Sequence, residues 1–98
     1  IYLTHKDVWL GYFDKVQNNM HDLMSGASLR LTNNGLGNSK GELVLRYSIS
    51  FREILQDRIS KGFEISEAKV NFIVYWKDEA KEKEMKIILP QLLFKKNL

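Results

Sequence analysis

Strict alternation of apolar residues from Glu42 to Phe51 is the feature that most limits how this chain can fold. Every second position in that stretch is apolar, and these positions are Leu43, Leu45, Tyr47, Ile49 and Phe51. Because successive side chains of a strand point to opposite faces of a sheet, this spacing predicts a long strand with one buried face. The exposed face is then expected to carry Val44, Arg46, Ser48 and Ser50.

A helical pattern precedes this strand. Apolar residues recur at intervals of three and four, at Trp9, Phe13, Val16, Met20 and Leu23. Thr4 and Asp7 have the spacing of a capping box, and Gly26 is a natural stop. The pattern therefore predicts a first helix from His5 to Met24.

The same two periodicities predict a short strand and a second helix on either side of the long strand. Leu29 and Leu31 alternate with polar residues and indicate a short strand. The segment from 33 to 41 is rich in glycine and asparagine and is expected to be a flexible connection. Ser50 and Glu53 again have capping-box spacing, so a second helix is predicted from Phe51 to Lys61.

Two more strands are predicted in the last third of the chain. Between Glu67 and Lys77 both faces are apolar, which is typical of a central strand. A charged reversal over 77–83 then leads to an alternating strand that is expected to stop at Pro90. Residues 91–98 contain the cluster Leu92-Leu93-Phe94 and are expected to form an edge strand or an interaction tail.

This order of elements predicts an α+β fold with a single domain over residues 1–98. Helix, strand, strand, helix, strand, strand is the order of a permuted ferredoxin-like fold, a two-layer sandwich. Two helices would cover one face of a four-stranded antiparallel sheet. The alternative is one helix cradled by a strongly curved sheet, with the second helix short.

Composition restricts the classes of function more than it selects one. The formal net charge of +3 and the pI of about 9.2 permit an anionic partner without requiring one. The chain has no cysteine, which excludes disulfides, thiol chemistry and Cys-based zinc sites. No apolar run approaches the roughly 20 residues that cross a bilayer, so no membrane partner is expected. A soluble protein in the cytoplasm is the expectation.

No motif for catalysis, metal or cofactor binding stands out. His5 and His21 lack the neighbouring ligands of a metal site and are expected to be solvated. The loop Gly35–Gly41 lacks the Gly-Lys-Ser/Thr of a phosphate loop. Carboxylates over 78–84 alternate with lysines, which is typical of a solvated charge run. The chain is therefore predicted to be non-enzymatic, with no cofactor and no metal.

The predicted sheet face opposite the helices is the first candidate for function. It would display Arg30, Val44, Arg46, Ser48, Asn71, Ile73, Tyr75, Lys86 and Ile88. Such a mixture suits DNA or RNA, with cations on phosphates and Tyr75 stacking on a base. The residues of this hypothesis are Arg30, Lys40, Arg46, Lys69, Tyr75, Lys86, Lys95 and Lys96.

A protein interaction module is the alternative from a different class. The apolar part of the same face, or the tail from Leu92, would then dock a partner protein or a second copy. A tail strand could add to a neighbouring sheet.

Overall fold

The computed structural model describes residues 1–80 and 82–97. Two short 3-10 helices come first, Leu10–Lys15 and Gln17–Met20. The regular elements that follow are β1 (Ser28–Thr32), β2 (Gly35–Gly37), β3 (Leu43–Arg46), α1 (Ile49–Ser60), β4 (Phe63–Asp78) and β5 (Lys83–Lys96). The predicted reversal over 77–83 includes Lys81, and the predicted tail includes Leu98; both residues lie outside the described ones.

The strands form one five-stranded antiparallel sheet with the order β3-β2-β1-β4-β5. Its two outer strands come together because the sheet curls. Gln17 donates to the Lys86 carbonyl oxygen of β5 at 2.9 Å, while Asn19 donates to the Leu43 carbonyl oxygen of β3 at 2.9 Å. In a flat sheet those strands would be about 19 Å apart, which residues two positions apart could not bridge.

The predicted two-layer sandwich with two helices on four strands is therefore wrong. The described residues contain one α-helix, and the sheet has five strands. The alternative of one helix and a strongly curved sheet is closer to what is found. A permuted ferredoxin-like fold is excluded, since its sheet stays open and both of its helices lie on one face.

The predicted helix from His5 to Met24 does not form. At its start the Asp7 carboxylate accepts a hydrogen bond from the Thr4 backbone N–H at 2.8 Å, which closes a local turn instead of opening a helix. Gly11 weakens helix propagation beyond that turn. Buried Phe13 and Val16 are three residues apart, a spacing that a 3-10 helix also brings to one side.

The predicted strand from Glu42 to Phe51 is less than half that length. β3 ends at Arg46, and the Ser48 side chain caps α1 by accepting from the Phe51 backbone N–H at 3.2 Å. Adjacent Val44 and Leu45 are both fully buried, so both faces of β3 are covered and its predicted exposed face is wrong. The second helix is confirmed, with its start two residues earlier than predicted.

The predicted flexible connection after β1 contains β2, a strand too short and too rich in glycine to show a period. β2 pairs with β1 and with β3, and all three of its residues are buried. A Cβ atom on Gly35 would collide with the Leu45 carbonyl oxygen. The absence of a side chain at Gly35 therefore permits this close pairing of strands.

The last two strands are confirmed and are longer than predicted. β4 and β5 pair from Phe63 with Lys96 to Asp78 with Lys83. Pro90 does not end β5, which continues through residues 91–96. Its partner Val70 directs both backbone groups to the segment before β1, so the ladder needs no N–H at position 90. The register skips Ser66 and Asn71, which are the extra residues of two bulges in β4.

The core gathers side chains from every element of the chain. Its buried members are Leu3, Val8, Phe13, Val16, Met20, Leu29, Leu36, Val44, Leu45, Tyr47, Phe51, Leu55, Ala68, Val70, Ile87, Ile88 and Leu92. The molecule is elongated, 49 × 25 × 18 Å, because the β4–β5 hairpin is longer than the rest of the sheet is wide. None of the helices in the described residues is long and apolar enough to cross a membrane.

Candidate functional site

The eight residues predicted for nucleic-acid binding are distributed over several surfaces. Because side chains alternate along paired strands, Lys69 and Lys95 lie on the outer face of the β4–β5 hairpin. Tyr75 and Lys86 are directly paired and lie on the opposite, inner face. Val44 and Ile88, which were expected on the same open face, are fully buried. The open sheet face predicted from the sequence is therefore divided.

Arg46 is held against the N-terminal segment. Its guanidinium lies 5.7 Å from the centre of the Trp9 ring and 5.6 Å from the centre of the Tyr12 ring. Contacts of this kind are cation–π interactions, which leave the charge in place but fix its position. Arg46 therefore belongs to a different surface from Tyr75.

Lys86 has a structural role in the described geometry. Its Nζ donates to the carbonyl oxygens of Met20 at 2.8 Å and Leu23 at 2.7 Å. Met20 is the last residue of the second 3-10 helix, where its carbonyl oxygen also accepts from the Leu23 N–H at 3.1 Å, and Leu23 lies three residues beyond it. The ammonium group therefore ties the end of that helix to β5.

On the outer face of the hairpin the predicted lysines are paired with carboxylates. Lys69 lies 3.3 Å from Glu67, and Lys95 lies 3.1 Å from Glu64. All four side chains are about half exposed, so each pair is weak, but the positive potential of this face is reduced. Arg30, Lys40 and Lys96 are exposed on separate elements.

Three exposed apolar side chains lie in a row on the β4 half of this outer face, beside the buried Met85 and Ile87 of β5. Phe72, Val74 and Trp76 of β4 are 61%, 43% and 44% exposed. We call them the hairpin stripe. They span about 13 Å along the strand. A contiguous apolar surface of this kind is typical of an interaction site, whereas single exposed apolar residues are common everywhere.

Beside the hairpin stripe, β4 has an unpaired backbone edge. β1 pairs with β4 only through Lys69 and Ala68, and the last backbone contacts with the segment before β1 are at Val70. Beyond that point the described residues give β4 no neighbour except β5. The open edge, as we call it, extends from Asn71 to Lys77 over about 20 Å.

The contacts of Gln17 show which backbone groups face the open edge. The Lys86 N–H donates to Gln17 Oε1 at 2.9 Å, and Gln17 Nε2 donates to the Lys86 carbonyl at 2.9 Å. Lys86 therefore directs both backbone groups away from β4, which makes Tyr75 and Lys86 a non-hydrogen-bonded pair. The N–H and C=O of Tyr75, and by alternation those of Ile73, must then point to the open edge.

Parts of the other edges of the sheet are covered. Leu3 donates to the Pro90 carbonyl oxygen at 2.9 Å, which covers β5 beside the contact with Gln17. On β3, Trp9 donates to the Arg46 carbonyl oxygen at 2.9 Å. Proteins usually cover or blunt their sheet edges, because unpaired edges recruit other strands. The open edge differs from these covered stretches in having no such contact among the described residues.

A groove of about 660 Å³ lies on another side of the molecule, between the N-terminal segment and the start of α1. Its lining residues are His5, Val8, Trp9, Leu10, Gly11, Tyr47, Ser48, Ile49, Ser50 and Arg52. We call it the Trp9 groove. Burial raises the pKa of the Tyr47 phenol far above its ordinary value, so this group is neutral at physiological pH.

The described residues contain no cluster of three or more His, Asp or Glu side chains that could hold a metal ion. His5 and His21 are both exposed.

Asn38, in the glycine-rich segment, accepts hydrogen bonds from the backbone N–H groups of Lys40 and Glu42 through its side-chain oxygen, at 3.0 Å each. That loop is closed on itself by these bonds.

The chain matches no family model, and comparisons with curated proteins and with solved structures found no significant match.

Sequence reasoning missed the hairpin stripe and the open edge. It placed Phe72, Val74 and Trp76 on one face with Val70, which is 2% exposed. The bulge at Asn71 separates Val70 from the other three. Asparagine in the middle of an apolar strand was the one signal that could have indicated a break in the alternation.

Proposed function

We propose that this chain is a non-enzymatic protein-binding module that takes an extended segment of a partner as an added strand at the open edge. The observation that carries the proposal is the unpaired backbone from Asn71 to Lys77 beside three exposed apolar side chains. In strand addition, main-chain hydrogen bonds supply affinity and alternate side chains supply specificity.

The geometry of the hairpin defines what the partner segment should look like. A strand added beside β4 would accept from and donate to the backbone groups of Ile73 and Tyr75. Its alternate side chains would come within about 4.5–5.5 Å of the hairpin stripe. We therefore expect a segment of at least five residues with apolar side chains at every second position.

The charge pairs on the outer face of the hairpin favour a protein partner over a polyanion, with Lys69–Glu67 close to the stripe and Lys95–Glu64 at the far end of the hairpin. Lys69 and Lys95 are each within 3.3 Å of a glutamate on the same outer face. A phosphate backbone would have to displace those glutamates, whereas an apolar strand would leave both pairs intact. The pairs are consistent with a partner that approaches through uncharged groups.

Selection of binding peptides from a random display library tests the proposal. We expect enrichment of peptides with alternating apolar residues, whose affinity falls at least tenfold for the Phe72→Ser/Trp76→Ser variant. The Ile54→Ser/Ile59→Ser variant is the matched control, since both isoleucines are exposed apolar residues on α1 at 46% and 55%.

A second pair of variants separates backbone from side-chain recognition. Tyr75→Pro removes the N–H that faces the open edge, and proline is tolerated where that N–H is not used by the sheet. Tyr75→Ala removes the ring and keeps the N–H. We expect Tyr75→Pro to abolish binding of the selected peptide and Tyr75→Ala to retain most of it.

Equal binding by Tyr75→Pro and Tyr75→Ala, in variants with unchanged circular dichroism, would contradict strand addition. Failure to enrich any peptide would contradict the proposal as a whole. A doubling of molecular mass in light scattering that Tyr75→Pro abolishes would identify a second copy as the occupant instead.

Nucleic-acid binding is the second candidate function. The observation in its favour is that Arg30, Lys40 and Lys96 are exposed, while Tyr75 and Phe72 offer rings that are 63% and 61% exposed. In the described part of the chain none of these three cations has a salt bridge. Exposed cations and rings can hold a single strand by phosphate contact and stacking.

Fluorescence anisotropy with labelled 20-nucleotide oligo-dT and oligo-U tests this candidate. We expect binding that weakens steeply between 50 and 200 mM salt and that Arg30→Ala/Lys40→Ala/Lys96→Ala weakens further. The Lys61→Ala variant is the control, because Lys61 is an exposed cation in an ion pair with Asp57. Equal binding by the triple variant and the control would refute this candidate.

A further inference from the structure

The Trp9 groove is a second candidate site, separate from the open edge. Its volume of about 660 Å³ lies within the range of about 300–1,000 Å³ that holds small molecules. None of its lining residues belongs to β4 or β5. A ligand there would therefore leave the hairpin stripe untouched.

The walls of the Trp9 groove are mostly apolar. Val8 is buried at its base, while Trp9 and Ile49 remain 49% and 70% exposed along its sides. An aliphatic or aromatic ligand could bury surface against both exposed side chains. Burial of that surface favours an apolar body in the groove.

Among the described residues, Arg52 is the one Arg or Lys that lines the groove, and Lys15 and Arg46 lie against the Trp9 ring without lining it. Lys15 Nζ lies 6.0 Å, and the Arg46 guanidinium 5.7 Å, from the centre of the Trp9 ring that forms one wall. In the described part of the chain no Asp or Glu lines the groove. The site is therefore complementary to an anion.

Arg52 also carries a group that the fold leaves unsatisfied. Its Nε is screened from solvent and has no hydrogen-bond partner among the described residues, and Arg52 lines both the Trp9 groove and a second cavity of about 410 Å³ beside Gln56. A buried donor without a partner is costly, so a group that accepts from it gains more than it would at an ordinary exposed site. A carboxylate oxygen is the strongest simple acceptor for a guanidinium.

We infer that the Trp9 groove binds a small organic carboxylate, with its apolar body against Trp9 and Ile49 and its carboxylate on Arg52. The apolar walls select the body, and Arg52 selects the charge. Neither feature is used by the proposed strand addition.

Tryptophan fluorescence with octanoate as the probe tests this inference. Trp76→Phe provides a background in which Trp9 is the only tryptophan. We expect saturable quenching by octanoate, and binding at least tenfold weaker for 1-octanol, which has the same chain without the carboxylate.

Two substitutions in this background address the charge directly. Arg52→Gln removes the cation and should weaken the binding of octanoate at least fivefold, while the binding of 1-octanol should stay unchanged. Ile49→Asp places a carboxylate in the groove at the first residue of α1, where an acid also suits the helix dipole. Ile49→Asp should weaken the binding of octanoate at least tenfold.

Ile54→Asp is the matched control, because Ile54 is exposed on α1 and does not line the groove. Its octanoate affinity should equal that of the background, and thermal unfolding should show that all variants are folded. Equal affinity for octanoate and 1-octanol would overturn the inference. Unchanged octanoate binding in both Arg52→Gln and Ile49→Asp would overturn it as well.

Discussion

The N-terminal segment and the β4–β5 hairpin hold their shapes in opposite ways. Residues 1–24 contain ten residues in 3-10 helix and are fixed by contacts with distant strands. The hairpin is fixed by its own antiparallel register, from Phe63 with Lys96 to Asp78 with Lys83. The N-terminal segment therefore depends on the sheet for its shape, whereas most of the hairpin depends on its own strand pairing.

Side-chain amides make the connection between the two regions. Gln17 forms two hydrogen bonds with the backbone of Lys86, and Asn19 bonds to the Leu43 carbonyl oxygen. These amides take the place of a neighbouring strand at each outer edge of the sheet. The N-terminal segment therefore protects edges that would otherwise be open.

The largest expected effect tests the burial of the N-terminal segment. Phe13 is 1% exposed, so Phe13→Ala should lower the free energy of unfolding by about 3–5 kcal/mol. Phe72→Ala, at a position 61% exposed on the hairpin, should change it by less than about 0.5 kcal/mol. Urea denaturation followed by circular dichroism measures both. Similar values for the two variants would remove the distinction between the regions.

A smaller effect is expected at the amide that joins the regions. Gln17→Ala removes three hydrogen bonds, two to Lys86 and one to the Phe13 carbonyl oxygen at 2.8 Å. The free energy of unfolding should fall by about 1–3 kcal/mol, and exchange of the Lys86 amide hydrogen should accelerate. Gln56→Ala, on the exposed side of α1, is the control. Unchanged Lys86 exchange would show that Gln17 does not protect this edge.

The smallest effect appears only at high pH. Tyr47 is buried and paired with Val8 of the N-terminal segment, and burial raises the pKa of its phenol. Above about pH 10 the unfolded chain releases this proton while the folded chain keeps it, so stability falls as pH rises. The loss from this one group is at most about 1.4 kcal/mol per pH unit.

Tyr47→Phe should therefore lose less stability than the wild type between pH 10 and 11.5. Tyr75→Phe, at an exposed hairpin position, should follow the wild type. Chemical denaturation at several pH values provides the measurement. Parallel curves for all three proteins would mean that the phenol of Tyr47 is accessible to solvent.

Periodicity predicted the regions whose structure is local. The strand at 29–31, the helix after Ser48 and the two hairpin strands follow from short-range spacing and capping. The buried members of the first apolar series, Phe13, Val16 and Met20, were also recognised as inward-facing. Their helix type was not recognised. Apolar residues three or four positions apart lie on one side of a short α-helix and also on one side of a short 3-10 helix.

The sequence pattern failed where distant pairing decides the outcome. β2 has only three residues, two of them glycine, and exists through its two neighbours. β3 is covered on both faces, which no alternation within Glu42–Phe51 could reveal. Arg46 and Lys86 were expected to be available cations, yet rings and carbonyl groups hold them. Those partners lie more than 30 residues away in the chain.

The extra residue at Asn71 has a consequence for how this protein can change over evolutionary time. Beyond Asn71, the number of residues in β4 and β5 determines which side chains of β4 form the outer surface. The identity of those residues does not. Deletion of Asn71 would remove the bulge and leave Phe72 paired with Leu89 and the faces beyond it unchanged. One residue inserted into β5 opposite Asn71 would instead turn Ile73, Tyr75 and Lys77 outward and bring Phe72, Val74 and Trp76 to the inner face. One codon gained in β5 could thus exchange an apolar surface for a mixed one without a single substitution.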